Sequence, residues 1–322
     1  MKTLVRTLGG AAALGMAGLG WASLVERNWF ALRRFTVPVL APGSSPLRVL
    51  QISDLHLVPR QQHKVEWVRG LAALAPDLVV NTGDNLAALD AVPQALRAME
   101  PLFEFPGVFV LGSNDYYAPV PKNPARYLTR RHAQAPAGQV LLPVEDLRDG
   151  MTAGGWTDLD NARTSLTVAG STVELVGTDD AHINHDRYAE VAGPASPTAA
   201  LTLGVTHAPY QRVLDPMAAD GAQLLIAGHT HGGQLAVPWY GALVTNCDLP
   251  TNRAKGLSRW WPGAGSAPSS RAPADAAWLH VSAGLGTSPY APVRFACRPE
   301  ATLLTLVPRA ATTPTPAPAD RR

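Results

Sequence analysis

The feature that most constrains the fold of this chain is a series of short apolar runs, each ending abruptly in a polar cluster. LRVLQIS (47–53) leads into Asp-Leu-His, DLVVNTGD (77–84) runs into Asn85, and GVFVLGSND (107–115) closes on Ser-Asn-Asp. ALTLGVTHAP (200–209) and QLLIAGHTH (223–231) finish in the same way. Short aliphatic runs bounded by turn residues read as strands covered on both faces, the usual state of a strand in an α/β sheet. Between the first three runs lie two stretches with helical spacing. Val65 to Leu74 ends before Pro76; Val92 to Met99 has Pro93 in its first turn, where a missing N–H is harmless, and Pro101 just past its end. The order strand, helix, strand, helix, strand predicts an α/β fold with its chemistry at the carboxyl ends of the strands.

A hydrophobic content of 46% over 322 residues is enough to fill a large core. The 28 glycines and 29 prolines point to a loop-rich body rather than a helical one. Residues 116–200 are less regular, with a hairpin expected through RTSLTVAG and STVELVGTDD (163–180). Strands resume at AWLHVSAG (277–284) and ATLLTLVP (301–308). FTVPVLAPGSSP (35–46) reads as an extended entry strand and a Pro/Ser linker, so the body is expected to span 46–308. The tail 309–322 has too few apolar residues to order itself.

The formal charge is +2, with Lys2, Arg6, Arg27, Arg33 and Arg34 set against Glu26 alone in residues 1–34. The body carries no basic stripe, and nucleic acid is therefore not expected as a partner. Thr7 to Val25 is free of charge and follows two cations, as in a membrane anchor or a signal segment. Its length and the lack of an A-x-A site favour an uncleaved anchor and a membrane-associated protein; positive charge at both ends leaves the orientation open. Cys247 and Cys297 fit no metal-binding spacing, and are read either as a disulfide or as two buried thiols.

The strand ends carry Asp54 and His56, Asp84, Asn114 and Asp115, His207, and His229 and His231. Oxygen and imidazole donors without thiolates suit two closely spaced divalent ions of manganese, zinc or iron type, with one carboxylate bridging them. Asp-x-His and His-x-His would point their donors the same way if those segments stayed extended. Each motif alone is commonly structural; together, in this order at strand ends, they define a site.

These motifs, D-x-H, G-D-N, G-S-N-D, T-H-x-P and above all AGHTHGGQ, resemble the calcineurin-like metallophosphoesterase family, and within it the bacterial membrane-associated phosphodiesterase branch. The resemblance covers about residues 46–308. It implies a four-layer αββα sandwich of two mixed sheets flanked by helices, and a dinuclear site. In that site Asp54, His56 and His231 hold one metal, Asn114, His207 and His229 hold the other, and Asp84 bridges both. It further implies a metal-dependent hydrolase of phosphodiesters or pyrophosphates, lipid-linked ones included, in which a hydroxide between the metals attacks phosphorus.

One motif departs from the pattern. Where many members read G-N-H-D, this chain has Gly112, Ser113, Asn114 and Asp115, so the ligand is either Asn114 or Ser113. An amide carbonyl is the better neutral ligand, and Asn114 is favoured. The histidine that often assists the leaving group is absent, which leaves Asp115 as a candidate acid beside Asp84, Asn114 and His229. Asn85 and Arg294 are read as substrate contacts, against a helix cap and a solvated charge. Trp239 and Tyr240 are read as an apolar lip or as core, and Trp260 and Trp261 as membrane-interface residues. His63, His132, His182, His185 and His280 lack strand-end partners and are left outside the site. The competing reading is a non-catalytic, metal-binding, membrane-associated binding protein on the same fold.

Overall fold

The computed structural model describes residues 13, 15–121 and 138–309. Fourteen strands follow one another: β1 (Ala31–Leu40), β2 (Leu47–Ile52), β3 (Leu78–Asn81), β4 (Gly107–Phe109), β5 (Thr157–Asp158), β6 (Arg163–Val168), β7 (Ser171–Thr178) and β8 (Leu201–Thr206) come first. Then come β9 (Leu224–Ala227), β10 (Ala236–Val237), β11 (Gly241–Ala242), β12 (Gly256–Trp260), β13 (Ala277–Val281) and β14 (Glu300–Pro308). Four α-helices of eight or more residues accompany them: α1 (Gln62–Arg69), α2 (Val92–Met99), α3 (Val144–Ala153) and α4 (Gln211–Ala219). Two six-stranded sheets result, ordered β1-β14-β2-β3-β4-β5 and β12-β13-β9-β8-β7-β6, with β10 and β11 as a separate two-stranded ribbon. In the first, β2 to β5 run parallel and β14 is antiparallel to β2; in the second, β13, β9, β8 and β7 run parallel between antiparallel edges.

The period-two alternation of each strand sorts its side chains into layers. Val49, Leu78 and Val80 of the first sheet meet Leu203, Val205, Leu224 and Ile226 of the second in a core between the sheets. Their sequence neighbours Leu50, Ile52 and Val79 point outward, onto Val65 and Val68 of α1, Ala95 and Met99 of α2, and Leu147 and Met151 of α3. Leu225, Leu279 and Val281 face the other way, onto Val213, Leu214 and Met217 of α4. Both faces of each sheet are thus buried, which is why the strands read as unbroken apolar runs. The four-layer αββα sandwich of mixed sheets is the architecture expected from the sequence.

Two boundaries differ from the sequence reading. The stretch expected to precede the body is in its sheet: β1 pairs in parallel with β14 from Ala31↔Glu300 onward, and Val37 and Leu40 are fully buried between the sheets. Pro38 in this strand is tolerated because β1 lies at the sheet edge. The first helix starts at Gln62 and tightens at Gly70 into a 3-10 turn through Leu74. The helix over Val92–Met99 and the 163–180 hairpin are as expected.

Much of the charge-free stretch 7–25 lies outside the described residues, as do His132 and the tail beyond Arg309. Among the described residues no helix is long and apolar enough to cross a membrane. Cys247 and Cys297 are both free thiols, and no disulfide joins them. Trp260 is fully buried, with its indole N–H donating to Asp215, so it is not an interface residue, and Trp261 packs half-buried against the same cluster. Trp239 and Tyr240, in contrast, stand fully out in solvent on the β10–β11 turn.

If β1 is part of the core, Leu40→Ala should lower the stability of the whole body by about 2–5 kcal/mol in a denaturant titration. A linker residue at that position would cost within about 0.5 kcal/mol.

Candidate metal centre

The donors leave the strand ends through strained turns, not through extended backbone. Asp54, His56, Asp84, His229 and His231 all have positive φ, at 51°, 41°, 57°, 69° and 49°. Left-handed conformations are uncommon outside glycine and persist only where surrounding structure over-determines them. Here tight left-handed turns, rather than the period of a strand, bring Asp54 and His56, or His229 and His231, to one point. Glycines make the close approach possible. A Cβ on Gly228 would overlap Ser53 Oγ and meet Asp54 Oδ2 at 2.7 Å, and one on Gly112 would overlap Asp84 Oδ1.

Asp54, His56, Asp84 and His231 offer ligand atoms that all lie within 4.8 Å of one another. His56 Nε2 faces His231 Nε2 at 3.2 Å and Asp84 Oδ2 at 3.4 Å, and His231 Nε2 lies 3.6 Å from Asp54 Oδ1. The same Asp84 Oδ2 is approached from the other side by His207 Nε2 at 3.5 Å and by the Asn114 amide at 2.8 Å. Asp84 therefore sits between two donor sets, one made of Asp54, His56 and His231, the other of Asn114 and His207. His229 extends the second set, its ring 5.2 Å from that of His207. Asn114, rather than Ser113, is the residue of the GSND turn in contact with Asp84.

Electrostatics follow from burial. Burial lowers His56 to about 4 and pushes His229 and His231 well below the ordinary imidazole range, which leaves them neutral, the form that ligates a cation. Burial raises Asp54 to about 6, with Asp84 adding repulsion and His207 opposing it. Burial opposes the charged forms of Asp84 and His207 too, but their mutual attraction outweighs it, holding the carboxyl low and the imidazole high. His207 Nδ1 bonds the Thr82 carbonyl at 2.6 Å while its Nε2, like His56 Nδ1, is buried without a hydrogen-bond partner. A cluster of carboxylates and imidazoles, with His56, His229 and His231 held neutral and two ring nitrogens orphaned, fits divalent cations.

Three residues expected to touch substrate or catalyse do other work. Asp115 is fully buried and accepts the backbone N–H groups of Asp84, Asn85, Leu86 and Gly112, so it locks the Asp84 turn onto the β4 turn and is not placed as an acid. Asn85 is equally buried and bonds Asn81 and Asp115, away from any substrate. Arg294 is fully buried behind His231: its guanidinium donates to the carbonyls of His231, Ala283, Gly284 and Gly286 and lies 3.3 Å from His231 Nδ1. Its role is to position His231, not to contact substrate.

Other supports carry no motif. Ser53 Oγ donates to Asp54 and accepts from Thr82 Oγ1 at 2.7 Å. Lys64 donates to the Leu55 carbonyl at 2.6 Å, holding the SDLH turn, and its burial beside Arg294 and Arg27 lowers it to about 7. His229 Nε2 bonds the Asn246 carbonyl at 3.1 Å, and the ring of His182, left outside the site by its sequence position, stacks 4.5 Å from it. Lys64 sits within a helix and Asn246 in an irregular loop, where its side-chain amide also lies 3.4 Å from His229 Nε2; neither leaves a signal in the sequence. The spacing GTDDAH at the end of an apolar strand could have flagged His182.

A two-sheet sandwich with a buried Asp/His cluster at its strand ends defines a metal-dependent phosphoric ester hydrolase. The chain belongs to the calcineurin-like phosphoesterase family, whose profile matches residues 47–233, from the start of β2 through the GHTHGG turn. It is similar to the uncharacterized metallophosphoesterase YkuE of Bacillus subtilis, 24% identical over 95% of this chain and 96% of that one. It is also similar to phosphodiesterase YaeI of Escherichia coli, 25% identical over 90% and 93%.

Two substitutions test the supports. Gly228→Ala should displace Asp54 and weaken divalent-metal binding in a fluorescent-indicator titration while the circular dichroism spectrum stays native. Arg294→Met should weaken it about 10–100-fold by releasing His231.

Proposed function

We propose that the enzyme hydrolyses a phosphodiester or pyrophosphate at a membrane surface, lipid-linked substrates included, with two divalent cations. The observation that carries this reading is Asp84 standing between two donor sets drawn from both sheets. Asp54, His56 and His231 would hold one cation, Asn114, His207 and His229 the other, and Asp84 both. When bound, the cations acidify water and neutralise charge on the phosphoryl oxygens.

The chain's own residues bear on the leaving group. Asn114 occupies the position where many relatives carry histidine and has no titratable proton, and the Asp115 oxygens are taken by backbone N–H groups. Without an acid in this turn, leaving groups that depart as stable anions are favoured: phosphates and aryl oxides over alkoxides. Membrane attachment is supported by large apolar side chains left in solvent at Leu19, Leu24 and Trp29, and at Trp239 and Tyr240.

Metal-dependent hydrolysis of bis(4-nitrophenyl) phosphate is expected, and it should be lost in Asp84→Ala and His229→Ala; hydrolysis surviving both exchanges would sink the mechanism. An aryl diester should turn over faster than its alkyl analogue, and equal rates would refute the leaving-group argument. The full chain should float with phospholipid vesicles, less so after Trp239→Asp.

A further inference from the structure

Beside the first donor set the surface opens into a cavity of about 330 Å³, within the range of small-molecule sites. His56 lines it, together with Arg27 from the helical turn Glu26–Asn28, Arg60 and Gln61 from the loop before α1, and Thr287 and Pro292 from the loop after β13. Two guanidinium groups thus border one cavity that reaches a metal-ligand histidine. Among the described residues neither is ion-paired with a carboxylate; Arg27 contacts only the Pro292 carbonyl, at 3.5 Å. Glu26, its neighbour in sequence, is turned away, accepting from the Cys297 backbone and the Trp21 indole. On the side of Asn114 the charge has the opposite sign: Tyr116 bonds Asp179, and Asp158 and Asp160 share Arg148. The centre is cationic at its His56 flank and acidic at its Asn114 flank.

We infer that the cavity bounded by Arg27 and Arg60 binds a second phosphate group of the substrate, carried on the arm that is not displaced. The inference rests on the hydrolytic reading above and narrows it: phosphoesters that carry a second phosphate group are taken in preference to those that carry one. Guanidinium forks suit phosphate, and Gln61 and Thr287 add neutral donors. Arg27 lies outside the segment matched by the family profile, yet it is held in place by this body: the carbonyl of Ala22 accepts from Arg294 N, and Glu26 clasps Cys297. The N-terminal segment therefore completes the substrate pocket.

The test compares 4-nitrophenyl propyl phosphate with its analogue bearing a phosphate on the far end of the propyl arm, using the manganese-loaded full chain. Guanidinium–phosphate pairing of about 1.5–3 kcal/mol should favour the ester with the added phosphate about tenfold or more in kcat/KM, chiefly through KM. The ratio should fall towards one in Arg27→Gln, Arg60→Gln, and shrink with added salt. Equal kcat/KM for the two esters, or a ratio unchanged in the double variant, overturns the inference. Calorimetric binding of propane-1,3-diol bisphosphate to metal-stripped protein gives a readout independent of hydrolysis. It should weaken markedly in Arg60→Gln alone, an exposed position whose exchange leaves the core intact; no binding to the wild type, or equal binding to both, counts against the inference. If neither ester is hydrolysed while the bisphosphate binds in an arginine-dependent way, the hydrolytic reading fails and the anion site stands.

Discussion

The contact on which the centre depends is the one between Asp54, at the end of β2, and the backbone N–H of His229, just past the end of β9. It joins the two sheets at the depth of the donors, with both carboxylate oxygens within 3.2 Å of that nitrogen. Neither sheet can form either donor set alone. The first supplies Asp54, His56, Asp84 and Asn114; the second supplies His207, His229 and His231. Polar side chains in the otherwise apolar layer between the sheets keep them in register: Gln51 of β2 reaches the Ala227 carbonyl of β9 at 2.9 Å and His280 of β13 at 2.6 Å. Burial lowers His280 to about 3, so this link is a neutral hydrogen bond and not an ion pair. Buried hydrogen bonds of this kind favour one alignment of the sheets over its neighbours.

That alignment stabilises an expensive local geometry. Left-handed backbone at Asp54, His56, Asp84, His229 and His231 costs of order 1–3 kcal/mol per residue. The compensation comes from groups that never meet substrate. Asp115 collects four backbone N–H groups around the Asp84 turn, Lys64 holds Leu55, and Arg294 ties the GHTH turn to the loop after β13. The preorganisation extends to charge: His56, His229 and His231 are held neutral beside the Asp84 carboxylate before a cation arrives, which lowers the cost of binding one.

The N-terminal segment belongs to the same system. Residues 22–27 reach Arg294 and Cys297, β1 completes the first sheet beside β14, and Arg27 borders the cavity next to His56. A segment read as an anchor, an entry strand and a linker ahead of the body is, over its described part, structural for the body and adjacent to the site.

The sequence by itself determined the layers and the donor inventory. Burial on both faces forces a strand to be apolar throughout, and metal ligation admits few side chains, so both constraints are written residue by residue. That is why the α/β order and Asp54, His56, Asp84, Asn114, His207, His229 and His231 could be named without coordinates, while the αββα sandwich was what the family resemblance of their motifs implied. Only the tertiary structure decided what each donor leans on. Asp115, Asn85 and Arg294 look chemical because they are polar and lie near motifs, yet which way a polar side chain points depends on backbone N–H and carbonyl groups brought in by other segments. Lys64 and the Asn246 carbonyl were illegible for the same reason, as was the pairing of β1, whose partner lies some 270 residues away. Side-chain chemistry is local and can be read in order along the chain; burial and partnership are properties of the packed molecule.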